Sequence, residues 1–150
     1  MAPTHYFEVR ASWRREDGGM PPGNHRLEID GKSTIAATAA QQYKGDPART
    51  SPEDLFVAAL ASCQMLSYLA VAARSGVTVL AYEDHARGTL TIADKKMRFT
   101  DVVLRPRITV APGTDEAKAR ALVETAHEGC FIANSVACTV RAEPEIVVGG

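Results

Sequence analysis

The sequence predicts an α+β fold in which a mostly antiparallel sheet is built around one long central helix. The predicted elements follow the order strands, helix, strands, helix, strand, which is typical of the α+β class. The first helix is apolar nearly all round, and the strands before it are joined by a short turn. With 150 residues, 45% of them hydrophobic, the chain is long enough for one core. We therefore expect a single domain over residues 1–150.

The segments before the long helix predict a strand, a loop and a hairpin. Apolar and polar side chains alternate over residues 7–13, as in a half-buried strand. The segment 14–24 carries charges, glycines and two prolines, and is predicted to be a loop. Alternation resumes at residues 27–29, and Asp30-Gly31 then predicts a hairpin turn with residues 34–37 as the returning strand.

The long helix has its own start and stop signals between Ser51 and Gly76. Ser51 is a favoured N-cap, and Pro52 suits the first helical position. Glu53 places negative charge at the positive end of the helix dipole. Gly76 suits the left-handed conformation that often ends a helix. We therefore expect one helix of about six turns.

The second half predicts further strands and one more helix. Residues 77–92 are rich in β-branched and aromatic side chains, and most simply form one long bent strand. Residues 99–110 predict the next strand, with Pro106 marking an edge or a bulge. Residues 139–148 predict the last strand. Between them, a helix begins at 114–116 and ends at Gly129, with an apolar stripe formed by Ala117, Leu122, Val123 and Ala126. Residues 131–136 predict a further helical turn.

Charge and composition argue against several classes of protein. The net charge is −1 and no basic cluster is present, so we expect no nucleic-acid partner. Residues 55–73 are long enough to cross a bilayer, but many alanines, polar breaks and an acidic entry favour a buried helix of a soluble protein. The first residues show no signal pattern, and an odd number of cysteines, three, suggests reduced thiols. We therefore expect a cytoplasmic protein with no membrane partner.

The apolar character of the long helix also predicts an oligomer. A sheet covers one side of a helix, and a second amphipathic helix covers little more. A helix that is apolar on all faces therefore needs another copy of the chain against it. We expect an intimate homodimer with the long helices close to a two-fold axis.

The three cysteines differ in their surroundings. Cys63 lies in the middle of the long helix, where a lone cysteine most often serves as a small core residue and is inert. Cys130 follows Gly129 beside a predicted helix start, where backbone N–H groups favour a thiolate. Cys138 precedes the last strand and is the best candidate for a structural cysteine. His127 and Cys130 alone make a poor metal site, so we expect no metal.

Three segments resemble the OsmC/Ohr superfamily, the osmotically inducible protein C and organic hydroperoxide resistance proteins. They are residues 51–63 (SPEDLFVAALASC), 82–88 (YEDHARG) and 126–136 (AHEGCFIANSV). The resemblance covers most of the chain and is strongest to the OsmC-like branch. It implies an α+β fold, an intertwined homodimer and a thiol-dependent peroxidase that acts on organic hydroperoxides.

The resemblance also implies roles for individual residues. Cys63 would be the peroxidatic cysteine, Cys130 the resolving cysteine, and Glu53 the acidic residue that pairs with an arginine. The implied cycle forms a sulfenic acid on Cys63, then a Cys63–Cys130 disulfide, which a dithiol reductant of the lipoyl type would reduce. No cofactor or metal is required.

The spacing of Glu53 and Cys63 bears on this site. Ten residues on one helix separate them by about 15 Å, so they cannot touch within a chain. Glu53 would then act at the partner's thiol, and the site would combine two chains. A cation must also lie beside Cys63, and the sequence offers five for this role without singling one out: Arg14, Arg15, Arg26, Lys44 and Arg49.

A second function stays open on these observations. The chain could form a dimer without peroxidase activity that binds a small hydrophobic molecule near Cys63. Loss of two free thiols per chain on treatment with an organic hydroperoxide would separate the two functions.

Overall fold

The structure, a computed structural model, describes residues 2–17 and 23–149. These residues form two compact units, one ending at Phe56 and the other beginning at Val57. The helix α1, Pro52–Arg74, begins in the first unit and continues into the second. The expectation of a single domain stays a prediction.

A small antiparallel sheet forms the first unit. Its strands are β1 (Arg10–Ser12), β2 (His25–Glu28) and β3 (Ile35–Ala37), in the order β1-β2-β3. The predicted hairpin between β2 and β3 is confirmed, because Gly31 has a φ of +74° and the N–H of Lys32 donates to the carbonyl of Ile29 at 3.0 Å. Glycine adopts this φ without the steric cost that other residues meet.

The predicted first strand is wrong in length. Only Arg10–Ser12 pairs with β2, and the side chain of Phe7 is 93% exposed. Alternation shows that a segment suits a strand, but pairing also needs a neighbour, and the short β2 pairs three residues of β1. In the predicted loop 14–24, Arg15–Asp17 form a 3₁₀ turn, and residues 18–22 lie outside the described part of the chain.

The signals at both ends of α1 act as predicted. The Oγ of Ser51 accepts from the N–H of Asp54 at 3.1 Å, and the carboxylate of Asp54 accepts from the N–H of Ser51 at 3.0 Å. This is a capping box, with aspartate in the place usually taken by glutamate. At the other end Gly76 has a φ of +74°, and the N–H of Val77 donates to the carbonyl of Ala72.

Two mixed sheets form the second unit. Their strands are β4 (Val79–Asp84), β5 (Arg87–Ala93), β6 (Lys96–Leu104), β7 (Pro106–Val110), β8 (Thr139–Ala142) and β9 (Glu145–Val148). One sheet has the order β4-β7-β9 and the other β5-β6-β8. The pairs β4–β7 and β5–β6 are antiparallel, whereas β6–β8 and β7–β9 are parallel. The α+β class with mostly antiparallel pairing is therefore confirmed.

Three predicted strands are each divided in two. The prediction of one bent strand over residues 77–92 is wrong, because its halves, β4 and β5, pair in different sheets. The same holds for 99–110, which divides at Arg105, and for 139–148, which divides between β8 and β9. At the division the Asp84 carboxylate accepts from the N–H of Arg105 at 2.8 Å, and the N–H of Glu143 donates to the carbonyl of Leu104. These hydrogen bonds take the place of strand pairing where the chain passes from one sheet to the other.

The second helix, α2, spans Glu116–Glu128 and is capped as predicted. The carboxylate of Asp115 accepts from the backbone N–H groups of Ala117 and Lys118. The buried face consists of Ala119, Val123 and Ala126. Ala117 was predicted on the buried stripe but is exposed, because it lies about 200° around the helix from Ala119. The predicted helical turn after α2 is present as a 3₁₀ turn over Ala133–Ser135.

Within the described residues, the fully buried positions of α1 form one stripe. Its buried residues recur every fourth position: Leu60, Gln64, Tyr68 and Ala72. On other faces the side chain of Leu66 is 61% exposed, and Leu69 is exposed as well. The described residues of one protomer therefore do not cover α1 on every side. By length and composition α1 could also cross a bilayer, a criterion that core helices of soluble proteins satisfy too.

Candidate redox site

The thiols of Cys63 and Cys130 are neighbours, close enough for Cys63 to raise the pKa of Cys130. Cys63 comes from the middle of α1, and Cys130 from the turn that follows α2. The side chain of Cys63 is partly exposed, whereas Cys130 is 1% exposed. Neither is in a disulfide. Tertiary structure thus brings two of the three predicted site residues together, one accessible and one buried.

The turn after α2 holds the Cys130 side chain in place. Gly129 closes the helix, and the N–H of Cys130 donates to the carbonyl of His127 at 3.2 Å. The N–H of Ala133 donates to the Cys130 sulfur at 3.5 Å, and the N–H of Asn134 donates to the Cys130 carbonyl at 3.0 Å. The backbone on both sides of the thiol is therefore fixed by hydrogen bonds.

Burial raises the pKa of Cys130, and the hydrogen bond with Cys63 raises it further. The backbone N–H groups of Ala133 and Ile132 lower it, as expected for donors that face a thiolate. The prediction that backbone N–H groups favour a thiolate at Cys130 is confirmed in direction, but loss of hydration on burial outweighs them and the pKa is raised. At neutral pH Cys130 is therefore a thiol.

Two side chains of β4, Tyr82 and Asp84, have raised pKa values, and the charge of Cys130 contributes to the one on Tyr82. Burial, followed by the charges of Asp84, Tyr68 and Cys130, raises the pKa of Tyr82. Burial also raises the pKa of Asp84, although the hydrogen bond from the N–H of Arg105 lowers it in part. Within the described residues, the Tyr82 hydroxyl and the Oδ2 of Asp84 are buried without a hydrogen-bond partner. Cys130 thus lies beside a phenol that favours its neutral form.

Helix α1 is also joined to α2 by two buried side chains. The Nε2 of Gln64 donates to the carbonyl of Val123 at 3.1 Å, and the hydroxyl of Tyr68 donates to the carbonyl of Ala119 at 2.9 Å. Sequence reasoning assigned no role to Gln64, Tyr68 or Tyr82. The available signal was that Gln64 and Tyr68 interrupt an otherwise apolar helix. The pattern does not reveal which carbonyls they meet.

The other predicted site residues lie in the unit that ends at Phe56. Glu53 is partly buried in the first turn of α1, where the cap is made by Asp54. The five candidate cations are in the same unit. Arg14 pairs with Glu16 at 2.9 Å, Arg26 with Glu28 at 3.7 Å, Arg49 with Asp46 at 3.7 Å, Arg15 lies over the Trp13 ring, and Lys44 has a φ of 67°. The roles assigned to Glu53 and to an activating cation stay predictions.

Cys138 is partly buried and lies directly before β8. Over residues 2–17 and 23–149, no group of three or more His, Cys, Asp or Glu side chains is placed to hold a metal ion.

Known proteins match this chain over most of its length. The model of the OsmC-like protein family matches residues 44–145. An OsmC-like protein of unknown function from Vibrio cholerae has a solved structure with 34% identity and a TM-score of 0.85, covering 94% of this chain and 99% of its own. An organic hydroperoxide resistance protein from Elizabethkingia anophelis shares the fold, with 18% identity, a TM-score of 0.74 and coverage of 98% and 99%.

A relative from Bacillus subtilis, the uncharacterized protein YmaD, is 22% identical over 154 residues and covers 97% of both chains. The family match spans well over half of the 150 residues and includes Cys63, Cys130 and both helices. The resemblance found in the sequence is therefore confirmed, and the chain belongs to the OsmC-like protein family.

Proposed function

We propose that this protein is a thiol-dependent peroxidase that reduces organic hydroperoxides through Cys63 and Cys130. The observation that carries the proposal is that a partly exposed thiol, Cys63, neighbours a buried one, Cys130. A peroxide needs access to the attacking sulfur, and the second thiol must be close enough to form a disulfide. Similarity of fold to an organic hydroperoxide resistance protein supports this choice of substrate class.

The proposed cycle has three steps. The Cys63 thiolate attacks the O–O bond of ROOH, which yields the Cys63 sulfenic acid and, with one proton, the alcohol ROH. The Cys130 thiol then attacks the sulfenic sulfur, which forms the Cys63–Cys130 disulfide and releases water. A dithiol of the lipoyl type reduces this disulfide by exchange and becomes a cyclic disulfide itself. Neither a cofactor nor a metal takes part in the cycle.

The proposal includes a homodimer in the cytoplasm. The exposed apolar face of α1, with Leu66 and Leu69, supports a second copy packed against this helix. In that dimer Glu53 would orient an arginine toward the partner's thiol, since Glu53 and Cys63 are ten positions apart on one helix. The site would then be complete only between two chains.

One observation favours the alternative, a dimer that binds a small hydrophobic molecule near Cys63 without reducing peroxides. The raised pKa of Cys130, caused first by burial, keeps the resolving thiol neutral and slows its attack. The two functions differ in whether the thiols are consumed.

Thiol counting tests the proposal. Reduced protein is mixed with one equivalent of cumene hydroperoxide, and free thiols are counted over time. We expect loss of two of the three thiols per chain, and the same loss of two in Cys138→Ser. Cys63→Ser should consume no peroxide, and Cys130→Ser should stop at a sulfenic acid that excess peroxide oxidises further. Persistence of all three thiols in the folded wild-type protein would rule the proposal out.

A further inference from the structure

A buried amide in α1 pairs its nitrogen and leaves its oxygen without a partner among the described residues. Gln64 is fully buried, and its Oε1 has no hydrogen-bond partner among the residues the structure describes. A buried polar atom left without a partner lowers the free energy of unfolding, because it gives up its hydrogen bonds to water. Methionine has a similar length and would avoid this cost. The amide therefore needs an explanation other than the free energy of unfolding.

The other end of the same amide makes a specific contact. The Nε2 of Gln64 donates to the carbonyl of Val123, whose position in α2 is buried. One turn further along α1, the hydroxyl of Tyr68 donates to the carbonyl of Ala119, one turn back along α2. Two bonds with the same four-residue spacing on both helices fix how far one helix can slide along the other.

This register also determines the separation of the two thiols. Cys63 is the chain neighbour of Gln64, and Cys130 follows the end of α2 by two residues. A shift of α2 by one residue moves its end by about 1.5 Å. The two Cα atoms of a disulfide are usually 4.4–6.8 Å apart, so a shift of this size spans much of the permitted range.

We propose that Gln64 is a positioning residue that holds α2 in register through the Val123 carbonyl and thereby favours the Cys63–Cys130 disulfide. Tyr68 supports the same register one turn away from the thiols. The unpaired Oε1 is a cost in stability that accompanies this contact. The inference deepens the proposed function, since it concerns the disulfide on which that function rests, but it depends only on the two cysteines and not on any peroxide.

The test measures the disulfide equilibrium without peroxide. Wild type and Gln64→Met, both carrying Cys138→Ser, are equilibrated with mixtures of reduced and oxidised glutathione, and the disulfide fraction is quantified by thiol alkylation. We expect Gln64→Met to lower the equilibrium constant for the disulfide on the order of threefold to tenfold, the effect of one hydrogen bond. A tenfold change would move the reduction potential by about 30 mV to a less negative value.

Stability provides the second readout. Gln64→Met removes both the bond to the Val123 carbonyl and the unpaired Oε1, and because these effects oppose, the free energy of unfolding of the reduced protein should change little. A merely structural role would instead lower stability and leave the equilibrium constant alone. Tyr68→Phe should lower the equilibrium constant by a smaller factor, and it serves as the test if Gln64→Met does not fold.

Thr114→Val is the matched control. It removes a side-chain bond to the carbonyl of Ala111 just before α2, at the end of the helix that is remote from Cys130 in sequence. We expect it to change stability but not the disulfide equilibrium. An unchanged equilibrium constant in Gln64→Met, an equal fall in Thr114→Val, or no Cys63–Cys130 disulfide in wild type would each overturn the inference. Failure of peroxide reduction alone would affect only the proposed function.

Discussion

The rings of Tyr68 and Tyr82 pack 5.9 Å apart with an interplanar angle of 49°. The two hydroxyls differ. That of Tyr68 donates to the carbonyl of Ala119 at 2.9 Å, whereas that of Tyr82 is buried without a partner within the described residues. Two chemically identical side chains therefore contribute differently to stability.

Removing each hydroxyl should have opposite effects. Tyr68→Phe loses a buried hydrogen bond and should lower the free energy of unfolding by about 1 kcal/mol. Tyr82→Phe removes a buried polar group that has no partner, and should leave that free energy unchanged or raise it. Urea unfolding of the reduced protein measures both, with each variant serving as the control for the other. Equal losses in the two variants would contradict this assignment.

Stability should fall as the solution becomes alkaline. Burial, followed by other contributions, raises the pKa of both Cys130 and Tyr82 in the folded chain. As the pH rises, the unfolded chain releases these protons before the folded chain does, at about pH 8.5 for cysteine and about pH 10 for tyrosine. The stabilisation from these groups is therefore complete below those values and is lost as the pH rises.

Unfolding measured from pH 7 to pH 11 tests this dependence. The double variant Cys130→Ala/Tyr82→Phe should show a smaller decrease than wild type, because it lacks both groups. Parallel curves for the two proteins would show that other groups cause the decrease.

Gly88 in β5 has no room for a side chain. A Cβ at this position would lie 2.7 Å from a ring carbon of Phe99 and 2.8 Å from a methyl group of Val57. Gly88→Ala should therefore lower the free energy of unfolding by about 1–3 kcal/mol, the usual cost of overpacking.

Gly129, directly before Cys130, is the control for this substitution. A Cβ there would lie 3.8 Å from the carbonyl oxygen of Ala126, an ordinary contact distance. The φ of Gly129, −94°, is one that other residues adopt as well. Gly129→Ala should change stability by less than about 0.5 kcal/mol. Thermal unfolding ranks the two variants, and equal destabilisation would show that the Gly88 site relaxes.

The proposed dimer predicts that a charge on the exposed apolar face of α1 prevents dimer formation. Leu66 is 61% exposed on one protomer, and a charge there would be buried against the second copy. Leu66→Glu should therefore give a monomer when the molar mass is measured by light scattering during size-exclusion chromatography. Leu80→Glu, at a leucine of β4 that is also exposed, should stay dimeric. A monomeric wild-type protein would remove the dimer from the proposed function.

Local signals explain which predictions succeeded. The ends of α1 and α2 depend on side chains within four residues, such as Ser51 with Asp54, and these interactions are encoded in adjacent positions. The hairpin at Gly31 is local for the same reason. The family could be identified because the three segments that resemble it, 51–63, 82–88 and 126–136, are each continuous in the sequence, and all lie within the matched range 44–145.

Predictions that depended on distant partners were less successful. The three long strands were predicted without the divisions at Asp84, Arg105 and Glu143, because alternation is the same whether a strand stays in one sheet or enters another. The first strand is shorter than predicted for the same reason. Its pattern continues to Phe7, but a ladder forms only where β2 is opposite.

The sequence by itself determined the fold class, the ends of both helices and the identity of the two cysteines proposed for catalysis. Only the tertiary structure decided that Cys130 is buried beside Cys63, that the Cys130 thiol keeps its proton, and that Gln64 reaches the carbonyl of Val123. The physical reason is that capping and turn bonds join near neighbours in the chain. Burial and the contacts between α1 and α2 arise only when segments far apart in the sequence pack together.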